Sequence, residues 1–375
     1  MPPSAAVAPA LDRRALTSGG ARLRVVDVAV WYGARSGGVR TYLDAKARAA
    51  ADGGVFEHHL IVPGAAERHE NGHHELPGVL VVAANGYRLP ATVAPLLRTL
   101  TTLAPDVVVL HDVNWWPVTV ADHARRLGAK VVAVHHGSAE SGAIGKPGPR
   151  AAWRAGLSAA QQRLYRRADA VMAFAAPREA AGTPHIPMRY GVDAAFRPRY
   201  VPSRGNHVLY AGRLAPEKGV DVLLDAMRHV DPGRELRLLG RGPSERALRG
   251  RARRLGLTGR VTFGPFIADP AALARAYTHA ACVVVPGRHE TFGLVALEAA
   301  ASGAAVVATS GVPAARHTDG LARIVPGGDA RALADAIGAA ADAVPDLLAA
   351  ARLGARRSWR AAFEAEAREL RSLVA

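Results

Sequence analysis

The chain has 375 residues, 49% of them hydrophobic, and a mean hydropathy of +0.04. This length exceeds one ordinary core, so two domains are expected, and no window approaches the roughly 18 apolar residues of a membrane-spanning helix. The formal net charge of +16 favours anionic partners such as nucleotides or phosphorylated sugars. Nucleic acid is not an expected partner, because zinc-finger spacing, an RNP-like aromatic set and a concentrated basic tail are all missing from the sequence.

The first 20 residues are rich in Ala, Pro and Ser, and we expect them to be disordered. They do not have the basic stretch and apolar core of a signal peptide. The one cysteine, Cys282, lies inside an apolar run and is expected to fill a buried strand. Because no intrachain disulfide can form, a reducing, cytoplasmic location is expected.

Short apolar runs alternate with helical patterns along the chain. In the first half, strands are predicted at 23–31, 56–62, 79–83, 106–111, 130–135 and 170–174. A helix is predicted after the Gly37-Gly38 turn to about Ala51, and the clearest helices are predicted at 91–104, 118–127 and 149–168. In the second half, strands are predicted at 207–211, 235–239, 260–263, 281–285 and 304–308. Strands of this kind between helices are typical of parallel sheets covered on both faces. The predicted fold class is α/β, with two doubly wound Rossmann-like domains.

The predicted join between the domains is the segment 191–206, which contains Pro198, Pro202 and Gly205 and has little periodicity. The N-terminal domain is then 21–190 and the C-terminal domain 207–357. Ligands of such sheets bind at the carboxyl ends of the strands, so motifs that follow strands are the ones most relevant to function.

Glu290 and Glu298 are separated by seven residues and straddle the junction between the strand at 281–286 and a helix at about 292–302. The start of a helix is a natural diphosphate site, and Glu298 lies roughly 9–12 Å beyond Glu290 along it. The two carboxylates can therefore reach the sugar on one side of a diphosphate and the ribose on the other. An isolated pair of this spacing is more often two solvated glutamates, so its neighbours decide the interpretation.

Three other features follow strands. Gly37-Gly38 can bring backbone close to a phosphate, although such a pair is as often a simple turn. Arg213 and Lys218 bracket one turn, where a guanidinium and an ammonium suit a diphosphate or are merely surface cations. His135-His136 ends a strand, where a histidine can orient a substrate or its leaving phosphate, or be structural.

Together these residues resemble retaining glycosyltransferases of the GT-B fold, in the family-4-like group that includes bacterial α-mannosyltransferases and sucrose and glycogen synthases. The resemblance is strongest from Val208 to Thr309. There the Gly-Arg-Leu-x-Pro-Glu-Lys-Gly turn at 212–219, the turn at 240–243, the segment 261–264 and the Glu-x7-Glu segment follow in family order and spacing. The two domains are then expected to face a cleft, with the C-terminal helix, 358–375, crossing back to the first domain.

The resemblance implies a donor site and its roles. It implies that Arg213 and Lys218 bind the donor diphosphate, Glu290 contacts the transferred sugar and Glu298 binds the ribose hydroxyls. His136 resembles the cleft histidine, with His135 the fallback. The backbone positions implied in donor binding are the loop Gly37 and Gly38 over the diphosphate, Phe263 and Gly264 at the base, and Phe292, Gly293 and Leu294 at the phosphates.

The implied reaction is hexosyl transfer with retention, which gives an α-linkage, and GDP-mannose is the preferred donor with UDP-sugars close behind. The chain has no Asp-x-Asp motif, so no metal and no cofactor beyond the nucleotide sugar are expected. We hypothesise front-face attack, because no carboxylate of the motifs is an obvious nucleophile. Ala304-Ala305 and Ala314 differ from the residues common at these positions in relatives. These differences bear on the subfamily and do not affect the predicted phosphate-binding residues.

The acceptor is a sugar or glycolipid in this interpretation. Asp112 and Trp115-Trp116 follow a strand where acceptors bind in this fold, though helix packing explains the tryptophans equally well. A basic helix at 149–167 fits either an anionic membrane or a solvated face. His69-Glu70-Asn71-Gly72-His73 has the zinc-protease spacing, but Gly72 and nearby prolines favour a surface loop.

Three other classes share features with this interpretation. A GT-B sugar-nucleotide epimerase would interconvert nucleotide sugars without an acceptor. A glucan phosphorylase would need a lysine carrying pyridoxal phosphate. A non-catalytic nucleotide-sugar-binding protein is disfavoured by the complete donor motif set.

Overall fold

The computed structural model describes residues 22–33, 37–82, 87–112, 116–136 and 150–375. The first sheet has nine strands among these residues: β1 Leu23–Val28, β2 Phe56–Gly64, β3 Arg68–Glu70, β4 His73–Val82, β5 Tyr87–Pro90, β6 Val107–Leu110, β7 Lys130–Val134, β8 Ala170–Ala173 and β9 His185–Pro187. Their order in the sheet is β3-β4-β2-β1-β6-β7-β8-β9, with β5 paired to β4. All of the pairings are parallel except β3 with β4 and β4 with β5.

Strands β6 and β8 of this sheet are buried at every residue, as their apolar sequences predict, and four of the described helices cover the sheet. The four helices are α1 Gly38–Ala51, α2 Ala94–Leu103, α3 Pro117–Arg126 and α4 Arg150–Tyr165. The strand order reverses at β1, which lies between β2 and β6. The carboxyl ends of β1 and β6 therefore meet at the point where such sheets bind ligands.

The second sheet has six parallel strands in the order β12-β11-β10-β13-β14-β15. They are β10 His207–Ala211, β11 Glu235–Leu239, β12 Val261–Gly264, β13 Cys282–Val285, β14 Val306–Thr309 and β15 Ala322–Val325. The helices are α5 Val220–Ala226, α6 Glu245–Arg254, α7 Pro270–His279, α8 Leu294–Ala301, α9 Ala330–Ala341, α10 Leu347–Arg356 and α11 Trp359–Val374. The order reverses between β10 and β13, so the loops that follow these two strands share the ligand-binding edge.

The last helix, α11, packs on the first sheet. The Ser358 hydroxyl accepts a hydrogen bond from the Ala361 N–H and starts the helix, and Val192 forms a backbone bridge with Ser358. Near its other end, the Arg371 guanidinium donates to the carbonyl of Val55 at 2.6 Å. The chain therefore leaves the second sheet and returns to α1 and β9 of the first.

The segment around His69 differs from the loop that the sequence predicts. It is a hairpin of β3 and β4, in which Asn71 and Gly72 adopt left-handed conformations at φ 47° and 78°. Asn-Gly is the preferred two-residue hairpin turn, a signal that outweighs the polarity of the segment. His69 and His73 thus lie on antiparallel strands, which excludes the helical zinc-protease arrangement, and no group of three or more metal-binding side chains occurs among the described residues.

Several element bounds also differ. The strand predicted at 79–83 is the second half of the longer β4. The edge strands β5, β9 and β15 were not predicted, because a polar residue or proline interrupts each of them and they have no continuous apolar run. Within the described parts of the chain, no helix is long and apolar enough to cross a bilayer.

Candidate active site

Glycines allow the loops at the carboxyl edge of the second sheet to touch through their backbones. A Cβ on Gly219 would lie 2.1 Å from the carbonyl oxygen of Pro286, and one on Gly240 would lie 1.9 Å from that of Gly212. A Cβ on Gly311 would lie 2.2 Å from the carbonyl oxygen of Arg288. The loops after β10 and β13 are therefore held against each other with no room for side chains between them.

Gly219→Ala tests how strongly this contact fixes the loop that carries Lys218. Gly219 has φ 66° and a crowded Cβ position, whereas Gly256 has φ 69° and nothing within 4 Å. Both alanine variants incur the left-handed backbone strain of about 1 kcal/mol, and Gly219→Ala adds the clash, for a total of about 2–4 kcal/mol. Urea unfolding measures the free energy of unfolding of both variants. An equal decrease in Gly219→Ala and Gly256→Ala would show that the contact with Pro286 does not constrain the loop.

Lys218 and Glu290 meet at this edge. The Lys218 ammonium lies 2.6 Å from a Glu290 carboxylate oxygen, and the two side chains are 23% and 11% exposed. The Glu290 N–H donates to the carbonyl of Gly311 at 3.0 Å, which fixes its backbone. The structure thus brings together two residues that the sequence separates by 72 positions, and it places a cation directly beside a carboxylate.

Arg213 occupies the same loop but has a different partner. Its guanidinium pairs with the Glu217 carboxylate, and its side chain remains about half exposed. The carbonyl of Arg213 accepts a hydrogen bond from the buried Tyr210 hydroxyl at 2.8 Å. The Tyr210 hydroxyl therefore holds the backbone of the loop, while the Arg213 guanidinium extends into solvent.

The start of α8 lies against the first sheet. Gly293 caps the helix at φ 86°, where a Cβ would lie 2.5 Å from the Val312 side chain. The ring of Phe292 stacks on Phe174 with centroids 4.4 Å apart and also contacts Tyr190 at 4.8 Å. Aromatic side chains of both sheets therefore meet at the first residues of this helix.

The Gly37-Gly38 turn lies on the opposite side of the same junction. A Cβ on Gly38 would lie 3.8 Å from the Leu294 side chain, the first residue of α8. The carbonyl of Gly37 accepts the first hydrogen bond of α1 from the Thr41 N–H at 3.2 Å. The predicted diphosphate loop and the predicted phosphate-binding helix thus face each other across the two sheets.

Phe263 and Gly264 end β12, at the edge of the second sheet and two strands away from β10. The Arg249 guanidinium lies 4.2 Å above the Phe263 ring, in a cation–π geometry. A Cβ on Gly264 would lie 2.7 Å from the Leu239 side chain. These two positions line the outer end of the same carboxyl edge.

His136, at the end of β7, contacts groups of the first sheet rather than Lys218 or Glu290. Its Nε2 lies 2.9 Å from Nδ1 of His111, whose Nε2 lies 2.6 Å from the Asp27 carboxylate. Burial and the neighbouring imidazoles hold the pKa of His136 well below its ordinary value. His135 instead pairs through Nδ1 with the Tyr165 hydroxyl at 2.8 Å.

Asp27 and His111 were not among the predicted site residues. Asp27 is an acidic residue within the otherwise apolar run Val25 to Ala29, and His111 directly follows β6, so both carried a signal. Asp112, the next residue, accepts a hydrogen bond from the Val30 N–H, and burial raises its pKa to about 6. Of the candidate acceptor residues, Trp115 lies outside the described residues.

Comparison with known proteins gives the family. Residues 36–176 match the model for Glycosyltransferase Family 4, and residues 205–342 match that for Glycosyl transferases group 1. A GDP-mannose-dependent alpha-(1-6)-phosphatidylinositol dimannoside mannosyltransferase of Mycobacterium tuberculosis is 33% identical over 315 residues, which cover 76% of this chain and 79% of that protein. The chain belongs to the family-4-like glycosyltransferases. It is therefore a hexosyltransferase, as the motifs predict.

Two solved structures resemble the fold of this glycosyltransferase. Sucrose-phosphate synthase from Thermosynechococcus elongatus has a TM-score of 0.70 at 20% identity, covering 94% of this chain and 99% of that one. Anabaena HepE in complex with UDP-glucose has a TM-score of 0.70 at 20% identity, covering 93% and 99%. This likeness confirms the predicted GT-B fold. The domain boundaries and the roles of individual site residues remain predictions.

Glu298 of the glycosyltransferase is a titrating group in the physiological range. It lies in α8 and accepts a hydrogen bond from the Tyr277 hydroxyl at 3.4 Å. Burial raises its pKa to about 7, and the negative charge of Asp193 adds to the effect. The ribose role predicted for Glu298 favours its ionised form, which becomes the major form only as the pH rises above about 7.

Glu298→Gln should therefore change two pH profiles. Nucleotide affinity of the parent protein should rise from pH 6 to 8, and the variant should bind weakly with a flat profile. The pKa of Glu298 in the folded protein exceeds its unfolded value of 4.5, so the free energy of unfolding falls by about 1–3 kcal/mol as the pH rises from 4.5 to 7. The Glu298→Gln variant should not show this fall. Calorimetric titration and urea unfolding at each pH measure these; a pH-independent affinity of the parent protein would contradict the ribose role.

Proposed function

We propose that this glycosyltransferase moves a mannosyl group from GDP-mannose to a hydroxyl of a sugar or glycolipid acceptor, with retention of configuration and an α-linkage. The observation that carries the proposal is the Lys218–Glu290 contact at the point where the strand order of the second sheet reverses. It brings a cation that can bind phosphate directly beside a carboxylate that can accept hydrogen bonds from a sugar. The mannosyltransferase relative supports mannose as the sugar and GDP as the carrier.

Charge develops on the diphosphate as it leaves, and the site offers compensation. The Lys218 ammonium and the N–H groups at the start of α8 are held in place before reaction, which favours the departing anion, and the half-exposed Arg213 guanidinium can add its charge from the same loop as Lys218. These groups supply the positive charge that a metal supplies in other transferases. The proposal therefore requires no metal, and transfer should proceed in EDTA.

Retention follows from attack on the face that the diphosphate leaves. The bond from the sugar anomeric carbon to the phosphate oxygen breaks as the bond to the acceptor oxygen forms. The acceptor hydroxyl proton passes to the departing phosphate oxygen, and GDP is released. Glu290 remains a hydrogen-bond acceptor in this scheme and forms no covalent intermediate.

A glycolipid acceptor gives the basic helix α4 a role. Trp153, Arg154 and Arg163 are exposed on it, a combination that favours an anionic membrane surface. We therefore include peripheral contact with the cytoplasmic face of the membrane in the proposal. The relative named for a phosphatidylinositol dimannoside acceptor supports this assignment.

The test is a transfer assay in EDTA with GDP-mannose, UDP-glucose and UDP-galactose, with a phosphatidylinositol mannoside in mixed micelles as acceptor. We expect mannosyl transfer from GDP-mannose and an α-anomeric product by NMR. Transfer only from a UDP-sugar would overturn the donor assignment, and a β-product would overturn retention. Interconversion of nucleotide sugars without acceptor would indicate an epimerase, and nucleotide binding without turnover a binding protein.

A further inference from the structure

Asp27 is a buried carboxylate whose partners are all positioned as donors. Its side chain is 0% exposed and lies 2.8 Å from the Lys46 ammonium, 2.8 Å from His58 Nε2 and 2.6 Å from His111 Nε2. Although burial opposes ionisation, the Lys46 charge and the hydrogen bonds from His111 and His58 hold the pKa of Asp27 well below its ordinary value. A carboxylate in this state can only accept hydrogen bonds.

The direction of the Asp27 hydrogen bond fixes the protons of the two imidazoles beyond it. His111 Nε2 must carry a proton to donate to Asp27, so Nδ1 of a neutral His111 is a lone pair. That lone pair lies 2.9 Å from Nε2 of His136, which must then carry the proton of its own ring. His136 Nδ1 is left as a hydrogen-bond acceptor.

His136 Nδ1 is a buried polar atom that has no hydrogen-bond partner among the described residues. An acceptor left in this state is unfavourable unless a donor reaches it. His136 lies two residues after β7, next to the carboxyl ends of β1 and β6 where the order of the first sheet reverses. Its Nδ1 can therefore accept a hydrogen bond from a ligand at this edge of the sheet.

We propose that Asp27 and His111 are positioning residues that hold His136 as a neutral imidazole with its proton on Nε2. His136 then presents only a lone pair to the substrate, so it binds a hydroxyl hydrogen and is not a proton source for the departing phosphate. The part of this inference that concerns substrate rests on the proposed function. The proton arrangement itself is a property of the free protein.

Asp27→Asn should reverse the whole chain of hydrogen bonds. The Lys46 ammonium and His58 Nε2 each lie 2.8 Å from the same oxygen of residue 27, so the amide oxygen will turn toward them and the NH₂ toward His111. His111 must then accept on Nε2 and carry its proton on Nδ1, and His136 must do the same. The lone pair offered to a substrate hydroxyl becomes an N–H, and kcat/KM should fall about 100-fold.

Long-range ¹H–¹⁵N correlation spectra of protein labelled on histidine report the proton position directly, and spectra of His136→Gln and His111→Gln assign the signals. We expect the Nε2–H form at both residues in the parent protein and the Nδ1–H form in Asp27→Asn. His123→Gln is the control, because His123 is partly exposed on α3 and pairs with the Thr101 hydroxyl, so this variant should keep both Nε2–H signals and kcat/KM within about twofold.

Three outcomes would overturn the proposal. The first is an Nδ1–H form or an imidazolium at His136 of the parent protein, a result that decides even if Asp27→Asn does not fold. The second is protons that stay in place in Asp27→Asn. The third is protons that reverse while kcat/KM is unchanged, which would reduce the hydrogen-bond chain to a structural role. Failure of the parent protein to transfer any sugar would overturn the proposed function instead, and the spectra would still read the proton arrangement.

Discussion

Lys218→Met is expected to lower kcat for glycosyl transfer by about 10²–10³-fold. Methionine keeps the volume of the side chain but removes the ammonium that lies 2.6 Å from Glu290. Loss of one fixed group that stabilises charge in the transition state typically has an effect of this size. Steady-state kinetics with GDP-mannose at saturating acceptor measures it.

Arg237→Ala is the matched control for Lys218→Met. It removes a cation of the same sheet from the middle of β11, where Arg237 pairs with Glu235, and should leave kcat within about twofold. The double variant Lys218→Met/Glu290→Gln separates an effect on folding from an effect on catalysis. Because it also removes the carboxylate that Lys218→Met leaves unpaired, it should be more stable than Lys218→Met but no more active. A kcat for Lys218→Met within threefold of the parent value would contradict its role.

Lys46→Met is expected to reduce the free energy of unfolding by about 3–5 kcal/mol. Lys46 is 0% exposed and lies 2.8 Å from Asp27 and 2.6 Å from Glu366 of α11. Its removal leaves two buried carboxylates without their cation, the situation in which breaking a buried ion pair is most destabilising. Because Glu366 belongs to the last helix, α11 should also become more accessible to protease.

Arg360→Met, on the same helix, is the control for Lys46→Met. Arg360 pairs with Glu364 one turn away and is 88% exposed, so its loss should change stability by less than about 0.5 kcal/mol. Urea unfolding followed by circular dichroism compares the two variants. A loss below about 1 kcal/mol for Lys46→Met would contradict the stabilising role of this buried ion pair.

The local pattern of the sequence was sufficient to predict the alternating fold and the loops that carry Lys218 and Glu290. Short apolar runs specify strands, and motifs that follow them specify the ligand-binding edge. The contact between these two residues depends in addition on β10 and β13 being neighbours, which no local pattern states. The resemblance to the family supplied that adjacency.

The hydrogen-bond chain through Asp27 and His111 could not be predicted in this way. Its members come from β1, the residue after β6 and the residue after β7, and they meet only because these strands are adjacent. Glu366, which holds Lys46 in place, comes from the far end of the chain. Each residue alone is an ordinary polar group near a strand end, so only the tertiary structure reveals the connection.

Calorimetric titration of GDP into the protein in EDTA tests the donor site most directly, since it requires neither the correct sugar nor the acceptor. The account predicts that GDP binds the parent protein and Arg237→Ala with equal affinity, and Lys218→Met at least tenfold more weakly. Equal affinity of Lys218→Met and the parent protein would contradict the placement of the diphosphate at the carboxyl edge of the second sheet.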